Sequence, residues 1–419
     1  MQSAEETTNC PDCGHQIRVN PRYVTWCEHC DWNVDPTPVV DQTPAWRLAI
    51  EHRLANSLYG ELAKGEVHRP GWDAARIAAV LLSVLILMLP LIGLVTGIAL
   101  LVLYRPLWFS ILLSLPAFGI AFLTRPRAAT LPRGVQLLHR DQAPTLYAVL
   151  DQVAAAVGTK RVAAVAVIAE PNLWYMRAGW RLDPVIGIGL PLWAGLRPQE
   201  RVAMLAHELG HGRHGDSLNN WLVGSAWSVL DGLRATFTEH RLDRIRREWG
   251  VRDGTGTTIV SRMLNTTVGL LVRGIAWLLE RLQLRSSQRA EYLADRKAGE
   301  IAGSEATAQA LERLFLADAS YRAMERAIRF PTEITPLDAV RRAVTEVPAR
   351  EIERHLRASR VRETRTDATH PPTYLRTKLI RTRPITTARV VLDTDQSLAI
   401  DHELEPVAQK VLSQLRLGR

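Results

Sequence analysis

Cysteine is absent from this 419-residue chain after Cys30; all four lie in the opening stretch CPDCGHQIRVNPRYVTWCEHC. That distribution excludes a disulfide framework for the bulk of the protein. No secretory leader precedes the first cysteine, so a reducing, cytosolic setting is expected for this segment. Concentrated basic tracts are missing too. The net charge is +9, from 52 Lys+Arg against 43 Asp+Glu, but the arginines are scattered through helices and beside apolar runs. Nucleic acid is therefore not expected as a partner, and contact with an anionic membrane face accounts for the basicity more simply.

Charge itself is missing between Ile77 and Leu103. That run is long enough to cross about 30 Å of hydrocarbon with tilt or a kink at Pro90. Tyr104, Arg105 and Pro106 interrupt it, and Leu107 to Leu123 supplies a second, shorter span. A turn at Pro90 would bury Arg105 at mid-membrane, at a large cost, so residues 74–124 are expected to form a transmembrane hairpin turning at Arg105. Arg47, Arg53, Lys64, Arg69 and Arg76 precede the pair, Arg125, Arg127 and Arg133 follow it, and only Arg105 occupies the turn. This asymmetry places both flanks in the cytoplasm, with the protein integral to the cell membrane. A hydrophobic content of 47% leaves enough for a separate core.

The cysteines form two knuckles, Cys10/Cys13 and Cys27/Cys30, with spacing close to that of a zinc ribbon. Four thiolates suit a closed structural zinc, with disulfides or a redox pair as alternatives. His15 and His29 are read as bystanders. Residues 1–35 are thus a ribbon able to recruit a protein partner or substrate. Residues 36–73 hold a linker, DPTPVVDQTP, and a helix with an apolar stripe at Trp46, Ile50, Leu54, Leu58 and Leu62. That stripe lies on the membrane surface, packs on a partner helix, or covers the main domain.

Residues 204–216 read MLAHELGHGRHGD. From Leu196 to Gly212 the pattern is helical: Pro198 at the start, Glu200 in the first turn, apolar Val202, Leu205, Ala206 and Leu209, and Gly212 as the stop. His207 and His211 then sit about 40° apart on one face and can direct two ring nitrogens at one metal. Glu208 projects from the edge of that face, where a general base could reach a water without displacing it. A catalytic zinc also needs a third ligand. Downstream, SSQRAEYLADRKAGE carries Glu291, a candidate for that ligand, and Asp295, a candidate acceptor for the outer N–H of a zinc histidine. Taken alone, such a pair is more often the solvated face of a helix.

With HELGH at 207–211, SxxxEYLAD at 287–295, PN at 171–172 and THPP with a later arginine at 369–376, the chain resembles a known family from about Gly134 to Ile380. It is that of the membrane zinc endopeptidases, which includes HtpX, the CAAX prenyl endopeptidases and the mitochondrial Oma-type proteases. The resemblance implies a gluzincin site in which His207, His211 and Glu291 hold zinc, Glu208 is the base, Asp295 supports a ligand, and His370 and Arg376 line the site. Two departures stand out. Gln288 replaces the usual arginine after the serine, with Arg289 one place later, and Leu173 and Trp174 follow the PN pair where alanine is usual. Chemically, His370 and Arg376 are donors able to help zinc stabilise an oxyanion, and Pro371 and Pro372 fix the backbone after the histidine.

The expected fold is α+β and mostly helical: a zincin-like metalloprotease domain at 134–385 with a transmembrane helical hairpin and an N-terminal zinc ribbon. Its helix APTLYAVLDQVAAAVG and buried strand RVAAVAVIA lead to a β-hairpin of WYMRAG and RLDPVIGIGL before the metal-motif helix. Gly187 and Gly189 either admit an extended peptide as an extra strand or relieve packing. Ser304 onward is mostly helical, and 386–419 reads as a tail without identifiable chemistry. Apolar helices at 218–233 and 259–282 separate the metal motifs. His211 and Glu291 must reach one zinc from one side, so these helices cross the membrane twice or not at all. Arg234, Arg241, Arg244, Arg246, Arg247, Arg252 and Arg262, together with Asp231 and Arg273, favour no crossing: helices packed over the site or dipping into the near leaflet.

The expectation is a membrane-anchored zinc endopeptidase with one catalytic and one structural Zn2+, a protein or peptide substrate, and the lipid bilayer as a second partner. The rival is a non-catalytic membrane scaffold or adaptor built on the ribbon and an inactive protease fold.

Overall fold

The computed structural model describes residues 6–36, 45–65, 74–127, 130–132, 134–179, 181–214, 217–237, 259–362 and 370–417. They divide into two compact units. One comprises Met1–Arg69, Thr130–His214 and Ser287–Arg419, the other Pro70–Ala129 and Gly215–Ser286.

The first unit opens with antiparallel strands β1 (Glu6–Asn9) and β2 (Gln16–Val19), Glu6 opposite Val19. Gly14 turns the chain between them at φ 76°, a left-handed conformation that costs glycine nothing. Helix α1 (Ala45–Lys64) follows. Leu58 and Leu62 of its stripe are buried against Tyr292, Leu293 and Leu379 of the same unit, so this end of α1 covers the domain rather than a membrane surface.

The second unit begins with α2 (Ala74–Leu103) and α3 (Leu107–Leu123), separated at Arg105 and Pro106. Small residues set their spacing: a Cβ on Gly93 would stand 2.8 Å from the Ala117 carbonyl oxygen, and one on Gly97 2.7 Å from the Phe118 ring. Among the described residues, α2 is the one helix long and apolar enough to cross a membrane by itself. Leu85, Val102, Trp108 and Phe122 are exposed. Polar residues inside the pair are spent on helix backbone: Ser83 donates to Ala79 O and Thr124 to Ile120 O.

Back in the first unit come β3 (Gln136–Leu138), α4 (Pro144–Val157), β4 (Ala164–Ile168), β5 (Leu173–Ala178) and β6 (Asp183–Gly189). The sheet order is β3-β4-β6-β5, with only the β4–β6 pair parallel. β5 and β6 form the expected hairpin, but β6 lies between two strands and has no open edge. A peptide cannot add to it. A Cβ on Gly187 would fall 2.1 Å from the Trp174 ring and one on Gly189 2.0 Å from the Glu170 carbonyl oxygen, so these glycines serve packing. The unpaired rim of the sheet on that side belongs to β5.

Helices α5 (Leu190–Gly195) and α6 (Pro198–His214) follow the sheet. Pro198 opens α6, Glu200 accepts from the Arg197 N–H at 2.8 Å, and Val202, Leu205, Ala206 and Leu209 sink into the main core. Gly212 does not stop the helix, which runs on to His214. There a Cβ would meet the Tyr175 hydroxyl at 2.8 Å, so this glycine admits a ring from β5.

Helix α7 (Ser217–Phe237) belongs to the second unit, and α8 (Ile259–Ala302) is one helix of 44 residues shared between the two. In the second unit, Ala226, Leu230, Ala276 and Leu279 pack with Ala79 and Ile86 of α2. Within this unit these helices thus pack on α2. The arginine-rich stretch 238–258 lies outside the described residues.

The remainder is helical, as expected: α9 (Ser304–Arg313), α10 (Ala317–Arg329), α11 (Pro336–Thr345), α12 (Ala349–Arg362), α13 (Thr373–Thr382) and α14 (Thr394–Arg416). The reading of 386–419 as a tail is corrected here. Ile400, Leu404 and Val407 of α14 join the main core. Asp401 pairs with buried Arg201 of α6 at 2.9 Å, and Glu403 accepts from the N–H groups of Thr145 and Leu146 at 2.8 and 3.0 Å, capping α4.

Candidate metal centre

One turn of α6 separates His207 from His211, and their Nε2 atoms lie 3.2 Å apart. Glu291 of α8 faces both, Oε2 at 3.5 Å from His207 Nε2 and Oε1 at 3.3 Å from His211 Nε2. The three donors lie within 4.8 Å of one another. A tetrahedral zinc with bonds of about 2.0–2.1 Å spaces its ligand atoms about 3.3 Å apart, so these side chains outline one face of such a tetrahedron. The residues present fit the ion.

Buried charges hold the ligands from behind. Asp295 Oδ1 is 2.9 Å from His207 Nδ1, leaving the opposite nitrogen to face the centre. Arg376 of α13 donates to both oxygens of Asp295, Nε to Oδ2 at 2.8 Å and Nη2 to Oδ1 at 2.7 Å, and stands 3.3 Å from Glu291 Oε2. Nε and Nη2 of Arg376 thus bridge the two carboxylates. His370 Nδ1 lies 2.8 Å from Glu291 Oε2 with its side chain 36% exposed, at the rim.

Electrostatics follow from this packing. Burial works to raise the Glu291 and Asp295 carboxyls, yet the Arg376 charge and histidine hydrogen bonds hold both below their usual range. Burial works to lower His207, but Asp295 and Glu291 bring it up to about 10. Both carboxyls are thus held in the ionised form, the form in which a carboxylate oxygen can bind a metal. Glu208 is raised instead, chiefly by desolvation, with the nearby histidines opposing.

The departures from the family pattern find places too. Gln288 is buried, and Arg289 pairs with Glu61 of α1. Trp174 lies over Gly187. Sequence reasoning missed Tyr175, whose ring packs on Gly212; the available signal was that glycine, read only as a helix end.

In the ribbon, Cys10 Sγ is 3.7 Å from Cys30 Sγ, and Cys13 Sγ 3.6 Å from Cys27 Sγ. Zinc–sulfur bonds of about 2.3 Å give tetrahedral edges of about 3.8 Å, so the four thiols also fit a metal. Burial disfavours the Cys27 thiolate, but the N–H groups of Cys30 and His29 direct themselves at its sulfur and hold it down at about 6. His15 and His29 stack on each other, ring centroids 3.8 Å apart, and are not among the four grouped ligands.

A paired-histidine helix, a glutamate ligand from a second helix and a carboxylate behind them define the site of a metal-dependent peptidase. The chain belongs to peptidase family M48, whose model matches residues 141–384. Among its relatives, Protease HtpX of Pseudomonas putida (strain GB-1) is 30% identical over 137 residues, covering 32% of this chain and 44% of that protein. A Protease HtpX homolog of Pyrobaculum calidifontis is 25% identical over 248 residues, 58% of this chain and 69% of that one. The chain thus spans less than half the length of the Pseudomonas relative. No solved structure matches.

Proposed function

We propose that the protein is a membrane-anchored zinc endopeptidase that hydrolyses membrane or membrane-proximal proteins, in HtpX-like quality control or regulated proteolysis. The observation that carries this reading is the convergence of His207, His211 and Glu291 beside Glu208. Zinc held there supplies Lewis acidity, making water nucleophilic near neutral pH and drawing charge onto the scissile carbonyl oxygen. Glu208, its carboxyl raised above its usual value by burial, takes the proton of the attacking water and returns it to the leaving amine. Asp295 and Arg376 keep His207 and Glu291 aimed, and His370 at the rim donates to the oxyanion. An extended substrate lies along the open side of β5, which Arg177 ties to the end of α6 through the Gly212 carbonyl oxygen at 3.3 Å.

Anchoring rests on the exposed apolar surfaces of α2 and α3, and a cytoplasmic face for the ribbon (1–35) and the metalloprotease domain (134–385) on the basic flanks. Zinc per chain is expected to fall from two to one in His207→Ala, with casein cleavage lost. Unchanged zinc and cleavage in that variant would refute the reading. For topology, Gly254→Cys in intact cells is expected to resist an impermeant thiol reagent; labelling above the level of the unmodified chain would place that loop outside.

A further inference from the structure

The ribbon carries a recognition surface that is already occupied. Arg350, Arg354 and Arg357 of α12 recur at helical spacing on one face and reach into the ribbon with Arg360. Arg350 donates to the Trp26 carbonyl oxygen at 2.6 Å and to that of Arg18. Arg354 donates to the Val34 carbonyl oxygen at 2.9 Å while binding Glu351. Arg357 donates to the Glu28 carbonyl oxygen and, at 2.9 Å, to Asp31 Oδ1; Arg360 takes the other oxygen of Asp31. Trp26, 1% exposed, lies between two of these cations, Arg350 and Arg357 each 5.2 Å from its ring centroid.

Three of the five acceptor residues, Trp26, Glu28 and Asp31, lie at the second knuckle, with Arg18 of β2 and Val34 outside it. Trp26 precedes Cys27, and Glu28 and Asp31 flank Cys30. Their carbonyls point outward because the knuckle is closed, with the Cys27 N–H donating to Trp32 O at 3.0 Å and the Asp31 N–H to Cys27 O at 3.1 Å. Asp31 sits at φ 58°, a left-handed conformation that aspartate tolerates in turns. Four thiolates sharing one metal would hold it so. On the other side, α12 ends at Arg362, and residues 363–369 lead from it to His370, which contacts Glu291.

We propose that the partner of the four-cysteine ribbon is α12 of this same chain, and that metal in the ribbon holds α12 and thereby the approach of His370 to the catalytic centre. The arginines that composition alone assigned to a membrane face are here an intramolecular clamp. The link to His370 rests on the peptidase reading. The docking does not, because amide exchange is measured whether or not the protein cleaves.

The test is hydrogen exchange on the full chain in detergent, with zinc counting and casein cleavage alongside. In the double variant Cys27→Ser, Cys30→Ser, zinc should fall from two per chain to one. Amides of 349–362 should exchange about tenfold faster or more, those of 198–212 should not change, and kcat should fall severalfold. Arg357→Gln leaves the thiolates intact; it should keep both zincs and still speed exchange in 349–362. Unchanged exchange of 349–362 in the double variant would overturn the docking. Faster exchange with unaltered cleavage would overturn the link to His370. If the double variant loses protection everywhere, Arg357→Gln decides, and unchanged exchange there also overturns the docking.

Discussion

Glu208→Gln should keep one zinc at the α6 site and an unaltered circular dichroism spectrum while lowering kcat for casein by about a thousandfold, within the range of about 10²–10⁴ for positioned proton transfer. The amide has the shape of the carboxyl but cannot accept the proton. None of the contacts that hold His207, His211 and Glu291 together involves Glu208, so ligand geometry should survive. The pair of measurements separates the base from the ligands, since loss of a ligand takes metal and activity together. Retention of more than about a tenth of the wild-type kcat would show that this carboxyl is not the base. Failure of the unmodified protein to cleave any substrate while holding two zincs would favour the scaffold reading.

Arg376→Met should be the most destabilising single change in the catalytic domain. It strands Asp295 and Glu291 in a buried site, where removing one partner of an ion pair costs about 3–5 kcal/mol. It also frees the carboxylate behind His207, which typically weakens metal binding about 10–100-fold. The penalty has a signed pH dependence. In the intact protein Asp295 is held below its ordinary value of 3.8, chiefly by the Arg376 charge acting against burial. Its contribution is therefore complete above that value and lost as pH falls through the lower folded-state value. Without Arg376 only His207 opposes burial, so the carboxyl moves up and the variant's deficit shrinks on acidification. Denaturant unfolding of the metal-free proteins should show the difference between wild type and variant shrinking from pH 7.5 to pH 5. A difference that is small and equal at both pH values would sink this account of Arg376.

Local chemistry was legible in the sequence. The four-residue spacing of His207 and His211, the Glu291/Asp295 pair one turn apart and the charge-free run from Ile77 each depend on neighbours along one helix, which periodicity reports. What escaped depends on partners far apart in the chain. Glycines in β6 look alike in a strand that takes a peptide and in one covered by Trp174; only the strand order distinguishes them. Arg376 was legible as a donor, but its pairing with Asp295 was not, because Asp295 stands 81 positions earlier. Gly212 carries the signature of a helix end and serves instead as the socket for a tyrosine from β5. The arginines of α12 read as scattered basicity because their acceptors are mostly backbone carbonyls more than 300 positions away, and carbonyls leave no mark in a sequence.

The burial of α14 bears on when the enzyme can exist. Arg201 lies on the helix that carries both histidines, and its guanidinium is 4% exposed with Asp401 as its counter-ion. The first turn of α4 is likewise capped by Glu403. A ribosome that has made α2, α3 and the histidine helix has still to make Thr394–Arg416. Until then Arg201 lacks both its counter-ion and the helix that buries it, and the core is missing one wall. The helix that carries both histidines therefore gains its last packing partner only after every other described element has been translated. A chain stalled before that point holds the paired histidines on an unfinished core.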